Sequence, residues 1–192
     1  MTQNLNLKTD SSFCYDNVDS NCTKYGRLYR WAAAVNKSES DCGLGNVCSL
    51  PSGNVQGICP SGWHLPSKNE WETLFATVGG QSSAGRKLKS TSGWYNSGNG
   101  TNTFLFSAFP AGYRISSRSY NSVSNDAHFL TEGRDAYFWS STEDSSNFAY
   151  RMCLNYDSDV ACLGIDSKDL GCSIRCLKDD TLGQAQLSPV AQ

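Results

Sequence analysis

The stretch Ile58-Cys59-Pro60-Ser61-Gly62-Trp63-His64-Leu65-Pro66-Ser67-Lys68-Asn69-Glu70-Trp71 decides how this chain folds. Ser67 and Glu70 form a capping box. The Ser67 hydroxyl is spaced to accept from the Glu70 amide, and the Glu70 carboxylate to reach back. Trp71, Leu74, Phe75 and Val78 then fall at i, i+3, i+4 and i+7, which is one apolar face of a helix. Gly79-Gly80 stops that run, with Gly79 suited to a left-handed cap. The spacing predicts a helix over 68–78, with Trp63 and Trp71 in the core. His64 has no partner nearby in sequence, and it reads as a structural residue held by hydrogen bonds.

Upstream, Arg27 to Val35 reads as a short strand running into a short helix. Residues 37–58 are rich in Ser, Gly, Asn and Asp and read as a loop. Downstream, the chain is small and polar from Ser82 to Asn102, around a short helix near Ala84–Lys89. Stretches of β character follow at 104–106, 108–114, 137–141, 149–155, 160–166 and 171–177. They are aromatic or branched and separated by turn residues. Residues 179–192 lack periodicity and read as a tail or linker behind one domain over 1–178.

The chain's 192 residues are enough for one domain with a sizeable core. Lys+Arg is 16 and Asp+Glu is 18, a net charge of −2 that argues against a nucleic-acid partner. No apolar run approaches the ~20 residues of a membrane span. Aromatic residues at 11% argue against disorder. Met1-Thr2-Gln3-Asn4-Leu5-Asn6 lacks the apolar stretch of an export signal, so the chain reads as a mature form or an excised domain. The N-x-[ST] triplets at Asn21, Asn36 and Asn99 read as chance matches.

Nine cysteines are too many for an ordinary cytosolic protein of this size. Zinc would need paired knuckles, and only Cys172-Ser173-Ile174-Arg175-Cys176 has such a spacing. Disulfides and an oxidising compartment are the expectation. Cys14–Cys22 and Cys42–Cys48 would close small local rings. Alternation puts Tyr150, Met152 and Leu154 on one strand face, with Cys153 on the other. Likewise Leu163 and Ile165 share the core face and Cys162 points away. A hairpin turning at Asp157-Ser158 sets 153 opposite 162, so a cross-strand bridge on the outer face follows. Cys172, Ile174 and Cys176 would share an inner face, with Cys172 as a buried, inert thiol.

The Ile58–Trp71 segment resembles the hallmark of the Fibrobacter succinogenes major paralogous domain family. So do Tyr25-Gly26-Arg27-Leu28-Tyr29, Phe109-Pro110-Ala111-Gly112-Tyr113-Arg114, Phe138-Trp139-Ser140-Ser141-Thr142-Glu143 and Cys172–Cys176, and Met1–Asn6 resembles its usual start. The motifs stand in family order from about residue 1 to about 179. Cys42, Cys48, Cys153, Cys162 and Cys172 depart from the pattern. The resemblance implies an exported bacterial surface domain. It also implies a C-type lectin-like α+β fold, related to the formylglycine-generating-enzyme branch. In that fold two short helices pack on a twisted antiparallel sheet with long irregular loops. It further implies a Cys59–Cys176 bridge, since both cysteines lie in hallmark segments, against the rival of Cys59 pairing with Cys42 or Cys48.

The resemblance leaves the activity open. In such folds the strand-and-loop region at 138–146 often faces ligand. Trp139 is a candidate to stack on a sugar, with Ser141, Thr142, Glu143 and Asp144 bonding hydroxyls and Tyr113 or Tyr137 as an aromatic floor. A buried Trp139 and a solvated turn are the plainer alternative. Asp16, Asp19 and Asn21, and Asp157 and Asp159, are short oxygen clusters without the EF-hand spacing, so calcium is a weak expectation and no cofactor is implied. No nucleophile–base motif or phosphate loop is present. The expected function is a non-catalytic extracellular surface module of adhesion type, binding glycan or a cell-surface protein through its loop face. The alternatives are a self-assembling structural subunit and a degenerate relative of formylglycine-generating enzyme.

Overall fold

Short strands and single helical turns organise the first third of the chain. In this computed structural model, which describes residues 1–116 and 128–180, β1 (Ser12–Phe13) pairs antiparallel with β2 (Leu28–Tyr29). Between them lies α1 (Asp19–Tyr25), and after them α2 (Trp31–Ala34) and α3 (Glu39–Cys42). The strand-then-helix reading of 27–35 matches β2 and α2. The loop expected over 37–58 contains the extra turn α3, because the Ser38 hydroxyl caps it by accepting from the Asp41 amide at 3.1 Å.

β3 (Trp63–His64) leads into α4 (Lys68–Thr77), and α5 (Gln81–Leu88) follows at once. The capping box of α4 is complete. The Ser67 hydroxyl accepts from the Glu70 amide at 3.3 Å, and the Ser67 amide donates to Glu70 Oε2 at 2.8 Å. Gly79, at φ +96°, takes the left-handed position that ends the helix. Helix α5 starts three residues earlier than the composition of its segment suggested, directly on Gly80.

The paired strands β4 (Tyr113–Ile115) and β5 (His128–Leu130) come next. Three long strands follow, β6 (Asp135–Glu143), β7 (Phe148–Asn155) and β8 (Ala161–Ser167), in the antiparallel order β6-β7-β8. Finally β9 (Leu177–Lys178) returns to pair with β3. The described residues thus form a mixed α/β fold with five helices and small antiparallel sheets. That is more helix than the two short elements expected, although α4 and α5 are the two that flank the long sheet.

Strand alternation divides the core in two. Ala136, Phe138, Met152, Leu154 and Ala161 face α4 and α5, where Trp71, Phe75, Val78, Ala84 and Leu88 meet them. The rings of Trp71, Phe106 and Phe138 stand 5.7–6.3 Å apart. Each large side chain buried here contributes about 1.5–3 kcal/mol. On the other face, Trp139 and Ala149 join Tyr29, Trp31, Leu65, Leu170 and Ile174. Ile165, expected in the core beside Leu163, is instead 45% exposed, and neither buried cluster includes it.

Three expected strands are not regular strands. Residues 104–106 form a turn with Leu105 at φ +56°. Within 108–114 only the end is strand, since Pro110 lacks an amide hydrogen and Gly112 adopts φ +63°. A Cβ on Gly112 would lie 2.2 Å from the Leu130 carbonyl oxygen, so only glycine permits β4 to sit this close to β5. Residues 171–176 run extended through isolated bridges to Tyr29, Arg114 and Phe138. Both of their faces are buried, Ser173 and Arg175 as well as Cys172, Ile174 and Cys176.

The disulfides are Cys14–Cys22, Cys42–Cys48, Cys59–Cys176 and Cys153–Cys162, and Cys172 is a buried free thiol. Cys153 pairs with Cys162 in the β7–β8 register, as the hairpin reading required. Asp179, read as the first residue of a tail, is pinned. Its amide donates to the Gly62 carbonyl at 2.9 Å, and its carboxylate lies 2.6 Å from His64 Nδ1. Asp180 is exposed, and residues 181–192 of that segment are outside the described residues. No described helix is long and apolar enough to cross a membrane.

Candidate functional site

The strand-and-loop residues singled out in the sequence are used up by the fold. Trp139 is fully buried, and its indole N–H donates to the Tyr29 carbonyl at 2.7 Å. It presents no face on which a sugar could stack, because it lies on the side of β6 that α2 and the 170–176 segment cover. Ser141 is buried, with its amide donating to the Pro66 carbonyl at 2.9 Å. Thr142 Oγ1 accepts from the Lys68 amide at 2.9 Å and so helps to hold the first turn of α4. Glu143 Oε1 accepts from the Cys48 amide at 2.9 Å and from the buried Lys168 ammonium. Among these five residues only Asp144 is exposed, and its amide donates back to the Phe148 carbonyl at 3.0 Å.

Tyr113 meets a different set of neighbours. Its ring packs edge-on against Tyr137 with centroids 4.9 Å apart. The two tyrosines, with Ile115, Phe148, Asp166, Ser167 and Leu170, line an open groove of about 300 Å³. Tyr137 projects from β6 on the same face as Arg151, Cys153, Cys162 and Asp166 of the neighbouring strands. The Arg151 guanidinium lies 4.4 Å from the Tyr137 ring centre, and its Nε donates to Asp166 Oδ2 at 2.7 Å. Burial, then the nearby charge of Asp135, pushes the Tyr137 hydroxyl up to about 12, so it stays protonated and can donate. Phe148, 41% exposed, supplies an apolar wall.

This groove combines an aromatic floor with the Asp166 carboxylate and the Ser167 hydroxyl. Such a surface can take a small ligand that has an apolar face and a few hydrogen-bonding groups. Period-two alternation in β7 and β8 put Cys153 and Cys162 on one outer face in the sequence, and the structure adds Tyr137 and Asp166 to that face. That Tyr113, Phe148 and Leu170 converge there was not legible, since they come from separate segments. A second cleft of about 220 Å³, lined by Pro66, Trp71, Leu74, Phe106 and Leu177, is more apolar. The Arg175 guanidinium beside it is spent on Asn4 and on the carbonyls of Met1, Phe106 and Ser107.

A third cluster is internal. Buried His64 lies between two carboxylates, with Nε2 2.8 Å from Glu70 Oε1 and Nδ1 2.6 Å from Asp179 Oδ1. Burial opposes its charge, but the hydrogen bonds to Asp179 and Glu70 outweigh that and raise its pKa. The cluster joins β3, the start of α4 and the residue after β9. It acts as a clamp, as expected for a structural histidine. Among the described residues, no group of three or more His, Cys, Asp or Glu side chains is placed to hold a metal ion.

No curated protein and no solved structure matches the chain. The profile of the Fibrobacter succinogenes major domain matches residues 1–178, from the strand-linked N-terminal segment through β9. With its hallmark segments folded into the capped helix, the β6 core and the terminal bridge, the chain belongs to the Fibrobacter succinogenes major domain family.

Proposed function

We propose that this domain is an exported bacterial surface module that binds glycan, without catalysis, through the Tyr113–Tyr137 groove. One observation carries the reading. Two tyrosines in edge-on contact floor an open groove beside Phe148, with Asp166 and Ser167 at its rim. Four disulfides in 192 residues favour an oxidising compartment. A C-type lectin-like arrangement is supported by the way the chain ends meet. The Leu5 amide donates to the Ile174 carbonyl at 2.9 Å and β3 pairs with β9, while α4 and α5 flank the long sheet.

A glycan array followed by calorimetric titration tests this reading. The wild-type domain should retain at least one glycan class. Phe148→Ala should weaken binding at least ~10-fold while leaving unfolding within ~0.5 kcal/mol, as for surface substitutions. An array without any retained glycan would sink the proposal. The second reading is a self-assembling structural subunit, whose contacts would draw on exposed apolar residues such as Val47 and Leu105, 75% and 70% exposed. Concentration-dependent mass in light scattering, together with a blank array, would establish that alternative.

A further inference from the structure

The four disulfides are not equivalent. Cys14, Cys22, Cys59 and Cys176 are buried, and in the Cys42–Cys48 bridge Cys42 is buried. Only in Cys153–Cys162 are both residues partly exposed. This bridge joins directly facing residues of β7 and β8, strands that the hairpin's backbone ladder already holds together. Its short loop constrains the unfolded chain less than the long Cys59–Cys176 loop does. Opening it would leave the β7–β8 pairing in place.

The second distinction is electrostatic. Arg151 Nη1 lies 2.9 Å from Cys162 Sγ, while its Nε bonds Asp166. Gly164, directly across the ladder from Arg151, has no side chain, so the guanidinium can lie along the sheet and reach the sulfur. A neighbouring cation stabilises a thiolate. In thiol–disulfide exchange, the sulfur whose thiolate is better stabilised is the better leaving group. Arg151 therefore makes the two sulfurs of one bridge unequal.

We infer that Cys153–Cys162 is a thiol-exchange site of this domain, open to an external thiol or dithiol, with Cys162 as the leaving sulfur. An incoming thiolate attacks Cys153 Sγ. The S–S bond breaks, and its electron pair goes to Cys162, which departs as a thiolate against Arg151. Cys153 is left in a mixed disulfide with the reagent. A second thiolate then attacks the reagent's sulfur and releases Cys153, which takes a proton from solvent. Overall the bridge is reduced to two thiols, and two thiols of the reagent are oxidised to one disulfide. The protein's own thiol, Cys172, takes no part. It is wholly buried in the core, and burial pushes its pKa well up, so it stays protonated. This inference stands independently of the glycan reading.

The test is graded reduction of the native, oxidised protein with glutathione and with dithiothreitol, followed by alkylation and peptide mapping. Cys153 and Cys162 should be labelled at least ~10-fold faster than the other six bridged cysteines, with the near-ultraviolet circular dichroism retained. Trapped glutathione should sit on Cys153. Arg151→Met should slow the exchange ~10-fold. In Cys153→Ser, the pH profile of iodoacetamide labelling should place the Cys162 thiol below the ordinary value of about 8.5. Loss of all four bridges together on unfolding, or glutathione trapped on Cys162, would overturn the inference. So would an unchanged rate in Arg151→Met. If that variant does not fold, Cys153→Ser decides alone, and a Cys162 thiol titrating at or above 8.5 rejects the assignment.

Discussion

The Glu143 carboxylate accepts a hydrogen bond from the ammonium of Lys168, and that ammonium is wholly buried beneath the Trp31 ring. Lys168 also donates to the Asn46 carbonyl at 2.7 Å, and Glu143 also accepts from the Cys48 amide. One ion pair thus ties the end of β6 to the residue after β8 and to the Cys42–Cys48 loop. Glu143→Ala should cost about 3–5 kcal/mol in chemical denaturation, because it strands a buried charge. The paired change Glu143→Gln with Lys168→Met should cost much less, since no charge is left unpaired. A loss within ~0.5 kcal/mol for Glu143→Ala would show that the pair is not structural.

Helix α4 offers two separable measurements. Ser67→Ala removes the cap on the Glu70 amide and should cost about 1 kcal/mol. Trp71→Ala removes the ring packed against both Phe106 and Phe138 and should cost about 3–5 kcal/mol. Urea unfolding curves of the two variants check both values.

The His64 clamp should make stability depend on pH. The His64 pKa is raised on folding, so its contribution is complete below the ordinary imidazole value of 6.5 and is lost as pH rises through the folded value. For Glu70, burial alone would raise the pKa, but bonds from Ser67 and His64 bring the net shift down. Its contribution is present above the ordinary value of 4.5 and fades as pH falls through the folded value. The clamp is therefore strongest between about pH 4.5 and 6.5. His64→Gln should flatten the decline above pH 6.5 in thermal melts. A wild-type slope retained in that variant would place the titrating group elsewhere.

Removing bridges should rank by loop length. Cys59→Ser with Cys176→Ser opens a loop of 117 residues and should cost about 5 kcal/mol on the chain-entropy account. Cys14→Ser with Cys22→Ser opens one of 8 and should cost about 2.5 kcal/mol. Equal losses in denaturation would mean that local packing, not chain entropy, sets the cost.

The sequence by itself determined what depends on neighbours along the chain. Ser67, Glu70, Trp71 and Phe75 specify α4 because a cap and a 3.6-residue period act within a few turns. The β7–β8 hairpin and its Cys153–Cys162 pair were equally legible, since alternation and a tight turn set the register locally. Tertiary structure decided the fates of Trp139, Glu143 and Asp179. Whether an aromatic ring stacks on ligand or core, or a carboxylate meets water or a buried lysine, depends on what lies against it. For these three residues the neighbours arrive from more than 90 positions away, at Tyr29, Cys48 and His64. The groove belongs to the same category. Tyr113, Tyr137, Phe148 and Asp166 come from four strands, and only the closed fold places one aromatic floor beneath one carboxylate.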